Sequence, residues 1–395
     1  MEHNAGIRSQ LRQLWRRVQR RLHPPRGIHR AELLVAVCVF ALPLALVPYA
    51  GLASGSTGGP MWQPVASYAG GNAVQHLAFG VLGGEAALYA ADGASGIVAS
   101  VDGGVSWTSA NVGLPHGRLQ SVRLVDLAVD ATEIGVMYAA VDSPAPSPRP
   151  MLYWTVDGGR HWQPRANLGR ERVQALATGA GAALYVATQA DVRRATLQSD
   201  EGSPPTTPAA RYAAGRDDLR YEVLGSLDAQ AQVTLFEALS DTLYLGTREG
   251  GLQMLSPATA GAAAQGWIVP GQLQGLTVYA LCAVLGTPQT LYAGTSDGLF
   301  ASNDAGQTWS GAGAALGDRP VLSLCAPAAL PGVLLAGVAQ TGVWISRDAG
   351  VTWSRYGTGM GRADVSRLVL DDRSLPWVLY AGTSEGLWRL VVEQG

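Results

Sequence analysis

Residues Ser100–Trp107 read SVDGGVSW, and the same octapeptide shape returns as TVDGGRHW (Thr155–Trp162), SNDAGQTW (Ser302–Trp309) and SRDAGVTW (Ser346–Trp353). Each copy fits Ser/Thr-x-Asp-x-Gly-x-x-Trp, and so many repeats of one constrained pattern are not chance. The residue types spell a tight hairpin. An Asp carboxylate accepts backbone N–H groups of its own turn, Gly supplies a positive φ, and Trp closes the turn onto an apolar surface. Asp102, Asp157, Asp304 and Asp348, with Trp107, Trp162, Trp309 and Trp353, are therefore expected to build turns rather than to carry out chemistry.

The octapeptides sit within a longer period. Ahead of them runs a second landmark, LYAADGASGIVAS from Leu88, LYAGTSDGLFAS from Leu291 and LLAGVAQTGVWIS from Leu334. It recurs without an octapeptide from Leu243 and Leu379, and more loosely from Met137 and Leu184. Its second residue falls at Tyr89, Tyr138, Tyr185, Tyr244, Tyr292, Leu335 and Tyr380, seven units spaced 43 to 59 residues apart. A third element of the type V-x-x-L comes earlier still, as at Val173, Val278, Val321 and Val365. Each unit reads as four short strands separated by Gly, Asn and Asp. Four-stranded units of this length, repeated radially, make a β-propeller. The expected fold is all-β, with seven blades.

The two ends of the chain complement each other. The seventh unit stops after three strands, and MWQPVASYAGG (Met61–Gly71) resembles TWSRYGTGM (Thr352–Met360). Residues Trp62–Ser67 are thus expected to supply the outer strand of the seventh blade and remove an open edge from the ring. Two blades depart from the pattern. The third retains only Asp200 and Gly202 before a Pro/Ala/Thr-rich stretch, and the fourth replaces the octapeptide with SPATAGAAAQG and resumes at Trp267. A long loop, VDSPAPSPRP (Val141–Pro150), enlarges the second blade.

Charge is partitioned. Residues 1–30 carry eight Arg and one acid, +7, and the remainder carries 20 Arg against 29 acids, −9, which together give the net −2. Within 1–30, Ile7–Leu22 has the spacing of a basic amphipathic helix lying on an anionic membrane surface. The apolar run Leu33–Ala53 is long enough for one bilayer crossing, and the preceding arginines put the N-terminus in the cytoplasm. A cleaved signal peptide ending at Gly51-Leu52-Ala53 is the rival reading. The expected organisation is a cytoplasmic segment 1–30, an anchor 31–53, a linker 54–60 and an extracytoplasmic propeller 61–395. Cys282 and Cys325 occupy one repeat position in adjacent blades, too far apart for a bridge, and are expected to be buried free thiols.

The octapeptides and their period resemble the Asp-box (BNR) propeller superfamily from Met61 to Gly395. That superfamily includes sialidases, xyloglucanase-type endoglucanases, sortilin-like receptors, and photosystem II assembly and stability factors. Fold alone does not choose among them. The sialidase pattern implies an Arg-Ile-Pro signature and an arginine triad. Neither an Arg-Ile-Pro nor any arginine in the first blade (Val74–Pro115) is present. Xyloglucanase-type enzymes imply two propellers, and this chain has room for one. The loop-face acids Asp92, Glu249, Asp297 and Glu385 read as solvated turn residues, so no catalytic residue is assigned.

His76, His116 and His161 are too dispersed for a zinc site. No Walker loop or nucleophile elbow occurs, an acidic ectodomain argues against nucleic acid, and no cofactor is expected. The resemblance implies a membrane-anchored scaffold, similar to the assembly factors, that binds a protein partner such as a membrane complex. The alternative is a carbohydrate-active enzyme of glycoside hydrolase type. Arginines recur just before the first strand of several units, at Arg118, Arg170, Arg172, Arg319 and Arg362. Guanidinium groups suit capture of carboxylates, so this face is expected to dock an acidic partner segment.

Overall fold

The computed structural model describes residues 60–392, apart from 69–72, 93–95, 116–122, 131–132, 143–151, 166–167, 169–170, 180–182, 198–218, 257–265, 285–286 and 374. The expected amphipathic helix and membrane span lie outside the described residues. Among those described, no helix is long and apolar enough to cross a membrane.

Seven antiparallel sheets follow one another along the chain. The first holds β2 (Val74–Leu82), β3 (Glu85–Asp92), β4 (Gly96–Ser100) and β5 (Thr108–Ser109), and the second β6 (Arg123–Val129), β7 (Met137–Asp142), β8 (Leu152–Thr155) and β9 (Gln163–Arg165). The third comprises β10 (Val173–Gly179), β11 (Ala183–Thr188), β12 (Asp191–Leu197) and β13 (Leu219–Ser226). The fourth has only β14 (Val233–Leu239), β15 (Thr242–Thr247) and β16 (Gly251–Leu255). The fifth contains β17 (Val278–Val284), β18 (Thr287–Thr295), β19 (Gly298–Ser302) and β20 (Ser310–Ala312), and the sixth β21 (Val321–Cys325), β22 (Leu334–Val338), β23 (Gly342–Ser346) and β24 (Ser354–Arg355). In the seventh, β25 (Val365–Asp371), β26 (Trp377–Thr383) and β27 (Gly386–Val392) are joined by β1 (Gln63–Pro64) from the other end of the chain. The first strands of successive sheets touch in order, and β25 touches β2. The fold is a closed seven-bladed β-propeller.

The closing strand is shorter than expected. Only Gln63 and Pro64 pair, with Arg389 and Trp388. Trp62 nevertheless sits where an octapeptide Trp would, buried, with its indole N–H on the Tyr356 carbonyl at 2.8 Å. Trp162 makes the equivalent bond to Ala110 of the blade before it, also 2.8 Å. Blade four corrects the expectation of a resumed outer strand at Trp267. A single bridge, Met254 to Ile268, stands in for that strand. The Trp267 indole still bonds back to Ser226 of blade three at 2.9 Å, so the aromatic anchor persists where the strand has been lost.

The core lies in layers between blades. Tyr89, Ile97, Met137 and Trp162 pack blade one on blade two, and Leu245, Leu255 and Phe236 pack blade four on blade three. A fully buried leucine such as Leu245 contributes about 1.5–3 kcal/mol. Each layer needs both neighbouring blades, so the ring stands or falls as a whole.

All four octapeptide turns share one hydrogen-bond scheme. In the first, Ser100 Oγ donates to Asp102 Oδ1 at 2.7 Å and accepts from the Gly104 N–H at 2.7 Å, while the Ser106 N–H donates to Asp102 at 2.9 Å. Thr155–Asp157–His161, Ser302–Asp304–Thr308 and Ser346–Asp348–Thr352 repeat it. The residue after each Asp is left-handed as well as the Gly: Gly103, Gly158, Ala305 and Ala349 have φ of 71°, 72°, 57° and 53°. Trp162, Trp309 and Trp353 are buried. Trp107 is half-buried and meets Tyr68 edge-on at 5.3 Å.

Candidate binding site at the channel mouth

Antiparallel alternation assigns every turn to one of two faces. The octapeptide turns join third to fourth strands and lie on the face where first strands end. The loops entering the first strands share the opposite face with the turns between second and third strands. On that second face the chain repeats a local device: the N–H just past the second strand bonds to the carbonyl just before the first. Gln189 to Arg172, Arg248 to Gln232, Ser296 to Thr277, Ala339 to Pro320 and Ser384 to Asp364 all do so, at 2.9–3.0 Å.

Immediately inside this rim, all seven first strands carry a β-bulge at one repeat position. Pairing skips Gln75, Val125, Gln174, Thr234, Tyr279, Leu322 and Ser366. A bulge turns the extra residue out of the ladder, and here it brings polar side chains to the neighbouring blade. Ser366 Oγ donates to the Val74 carbonyl at 2.7 Å, and Gln174 Oε1 accepts from the Val233 N–H at 3.1 Å. One residue further in, Ser323 Oγ donates to Val365 at 2.8 Å, and Asp126 accepts from the Leu176 N–H at 2.8 Å. These clasps fix the mouth.

A cavity of about 820 Å³ opens on this face across blades one to four. Leu124, Val125, Val141, Val173 and Val233 give it an apolar floor, and Gln75, Gln174, Gln189, Gln230 and Gln232 surround it with carboxamides. Gln174 has both ends of its carboxamide engaged, its Nε2 donating to the Thr188 carbonyl at 3.2 Å. Gln189 donates to the Ala229 carbonyl at 3.4 Å. The side chains of Gln75, Gln230 and Gln232 make no hydrogen bond among the described residues. Glu171, held by Arg193 at 2.6 Å and by Thr188 at 3.0 Å, fixes the loop that presents Arg172.

Of the five arginines, Arg172 lines the cavity, 3.4 Å from Asp142. Arg319 and Arg362 are exposed on the loops entering β21 and β25, on the same face but outside the cavity lining. Arg118 and Arg170 lie outside the described residues. Among the turn acids, Glu249, Asp297 and Glu385 are exposed. Asp92 departs from that reading: it is 1% exposed and accepts from the Tyr68 phenol at 2.9 Å.

Deeper in the channel the first strands bring together groups far apart in sequence. His76 Nδ1 lies 3.3 Å from Asp126 Oδ1. Burial holds the His76 pKa below its ordinary value, with Arg367 lowering it further and Asp126 opposing. Glu237 faces the same lumen. Enclosure by the ring pushes its pKa up to about 7, against the pull of Arg367 and with the push of Asp126, although lumen water still reaches the side chain. Cys282 and Cys325 are free and half-buried, rather than fully buried as expected, and burial pushes their thiols up to about 12 and about 11. Among the described residues no three His, Cys, Asp or Glu side chains are grouped to hold a metal ion.

The repeat contained the signal for this site. With the first strands aligned on their initial Val or Leu, the second position includes Gln75 and Gln174, the third His76, Asp126 and Arg367, and the fifth Glu237, Cys282 and Cys325. Polar residues inside an otherwise apolar V-x-x-L strand mark the channel.

No protein-family model matches the sequence, and no curated protein matches it. Solved structures share its fold. YCF48 bound to a D1 peptide superposes with a TM-score of 0.59 at 10% identity, covering 85% of this chain and 99% of that one. YCF48 from Cyanidioschyzon merolae gives 0.58 at 11% identity, covering 84% and 98%. A GH74 xyloglucanase from Xanthomonas campestris gives 0.56 at 18% identity, covering 84% of this chain and 53% of the enzyme, so this chain spans about half of that protein. At these identities the likeness is one of propeller architecture.

Proposed function

We propose that this chain is an Asp-box propeller, anchored in a membrane and facing away from the cytoplasm, that binds a protein partner at its channel mouth as a scaffold or assembly factor does. The observation that carries this reading is the preformed cavity of about 820 Å³ spanning four blades, a size typical of binding sites. The shared scheme of the four octapeptide turns supports the Asp-box assignment. The arginine-rich segment 1–30 and the apolar run Leu33–Ala53 support the anchor. YCF48 offers a precedent for a propeller of this shape that accommodates a peptide.

A glycoside hydrolase-like activity is the second reading, favoured by the likeness to the xyloglucanase. Asp126 gives it little, being engaged by His76 and by the N–H groups of Leu127 and Leu176. The test places a photo-crosslinking residue at Gln232 on the mouth, or at Ser106 on the opposite face, in cells producing the full chain. Discrete protein adducts from Gln232 and none from Ser106 are expected, and protease added to spheroplasts should digest the propeller while sparing the N-terminal segment. Adducts from neither position, together with release of sugars from xyloglucan, would favour the enzyme.

A further inference from the structure

We infer that the channel mouth holds an extended, uncharged polypeptide segment by its backbone, with the carboxamides of Gln75, Gln189, Gln230 and Gln232 pairing with peptide N–H and C=O groups. This rests on the docking reading above and departs from it in the chemistry of recognition, which is amide rather than ionic.

Three observations carry the inference. The first is charge. Among the described lining residues Arg172 is the one cation and Asp142 the one anion, and they lie 3.4 Å apart. An acidic segment would gain from Arg172 and lose to Asp142, so neither sign of charge is favoured. The second is unused hydrogen-bonding capacity. A primary carboxamide presents one acceptor oxygen and two donor hydrogens, which complements a peptide group in either direction. Gln75, Gln230 and Gln232 leave both functions open, and Gln189 leaves its oxygen open. Gln174, by contrast, serves the fold. The third is the floor. Leu124, Val125, Val141, Val173 and Val233 accept apolar side chains, and no described lining residue is aromatic. A sugar ring would look for an aromatic face to stack on, and the described lining offers none. An extended segment satisfies all three, its backbone meeting the glutamines and its alternate side chains the floor.

The test screens the full chain against an array of capped random octapeptides sorted into uncharged, acidic and basic sets, followed by anisotropy titrations of the strongest binders. Uncharged octapeptides are expected to bind best, with an affinity that does not change between low and high salt. Gln75→Ala combined with Gln232→Ala should weaken binding about tenfold or more, whereas Arg172→Ala should change it less than about twofold. Should the glutamine pair alter the melting temperature, Gln230→Ala takes its place, since that side chain makes no hydrogen bond among the described residues. Preference for acidic octapeptides, with steep salt dependence and loss on Arg172→Ala, would overturn the inference while leaving docking at the mouth intact. Capture of no octapeptide, with or without binding of xyloglucan oligosaccharides, would overturn both.

Discussion

The phenol of Tyr380 donates to the carbonyl of Gly103 at 2.9 Å, tying the second strand of the last blade to the octapeptide turn of the first. Three further pairs repeat it: Tyr89 to Gly158, Tyr244 to Ala305 and Tyr292 to Ala349, at 2.6–2.9 Å. The landmark tyrosine of one blade thus reads the turn of the next. Of the blades without an octapeptide turn, the seventh is preceded by Leu335, whereas the third and fourth are preceded by Tyr138 and Tyr185.

Closure of the ring therefore has two locks, the phenol of Tyr380, which ties blade seven to blade one, and the indole of Trp62, which ties the N-terminal strand of blade seven to blade six. Tyr380→Phe should cost about 1 kcal/mol, because the Gly103 carbonyl loses its donor in a part-buried setting. Trp62→Ala should cost about 3–5 kcal/mol, the range for a buried Trp, and more if β1 detaches. Denaturant melts of the two single variants and of the double variant measure both. A Trp62→Ala protein as stable as the parent would mean that β1 does not close the ring.

The left-handed residue after each turn Asp gives a prediction of opposite sign at equivalent positions. Ala305 and Ala349 sit at φ of 57° and 53°, where a Cβ costs about 1–2 kcal/mol. Ala305→Gly and Ala349→Gly should each stabilise by up to about 1 kcal/mol once the greater freedom of glycine in the unfolded chain is subtracted. Gly158 stands at the same place in blade two, and there a Cβ would lie 2.0 Å from the Val81 carbonyl oxygen. Gly158→Ala should therefore destabilise by about 2–5 kcal/mol. Thermal melts that failed to separate the two kinds of substitution would remove the backbone argument.

Blade number, strand order, turn positions and ring closure were legible in the sequence because each rests on local chemistry repeated in register. Ser100, Asp102, Gly104 and Trp107 act within one hairpin, so their spacing carries the whole message. The mouth was less legible. Gln75, Gln174, Gln189 and Gln232 belong to three blades, and only closure of the ring brings them together. The arginines were conspicuous in a chain without lysine, yet loop chemistry alone does not say that Asp142, from the second blade, stands opposite Arg172 of the third. Asp92 failed as a solvated acid for the same reason, its partner Tyr68 coming from the segment that closes the ring.

The turns also set an acid limit. In the first, hydrogen bonds from the Ser106 hydroxyl and N–H and from Ser100 hold Asp102 well below its ordinary value, at about 2. Thr308 and Thr352 do the same for Asp304 and Asp348, also at about 2. A carboxylate whose pKa is depressed by folding stabilises the fold above its unfolded value, near 3.8, and that contribution is lost as pH falls through the folded value. Melting temperature should thus fall between about pH 4 and pH 2. Asp304→Asn with Asp348→Asn should start lower and fall less steeply across that window, as followed by circular dichroism. A double variant with the parent's acid limb would show that these turns do not carry the linkage.

Glu237 predicts the reverse trend at a higher pH. It is the one acid at its repeat position, whose other occupants are Ala78, Ala128, Ala177, Cys282, Cys325 and Val369, and it makes no hydrogen bond among the described residues. Desolvation in the channel raises its pKa from 4.5 to about 7. A group whose pKa is raised by folding favours the folded state below its unfolded value, and that advantage is lost as pH rises through the folded value. The parent should therefore lose stability between about pH 4.5 and pH 7, with the carboxylate charged and unpaired above that range. Glu237→Gln keeps the shape and removes the charge. It should leave stability unchanged near pH 4 and raise it near pH 8 by on the order of 1 kcal/mol, a modest figure because lumen water screens the group. Urea melts of parent and variant at several pH values decide the point. A constant difference between the two across the range would mean that Glu237 is already solvated as at an open surface, and that the channel imposes no penalty on its charge.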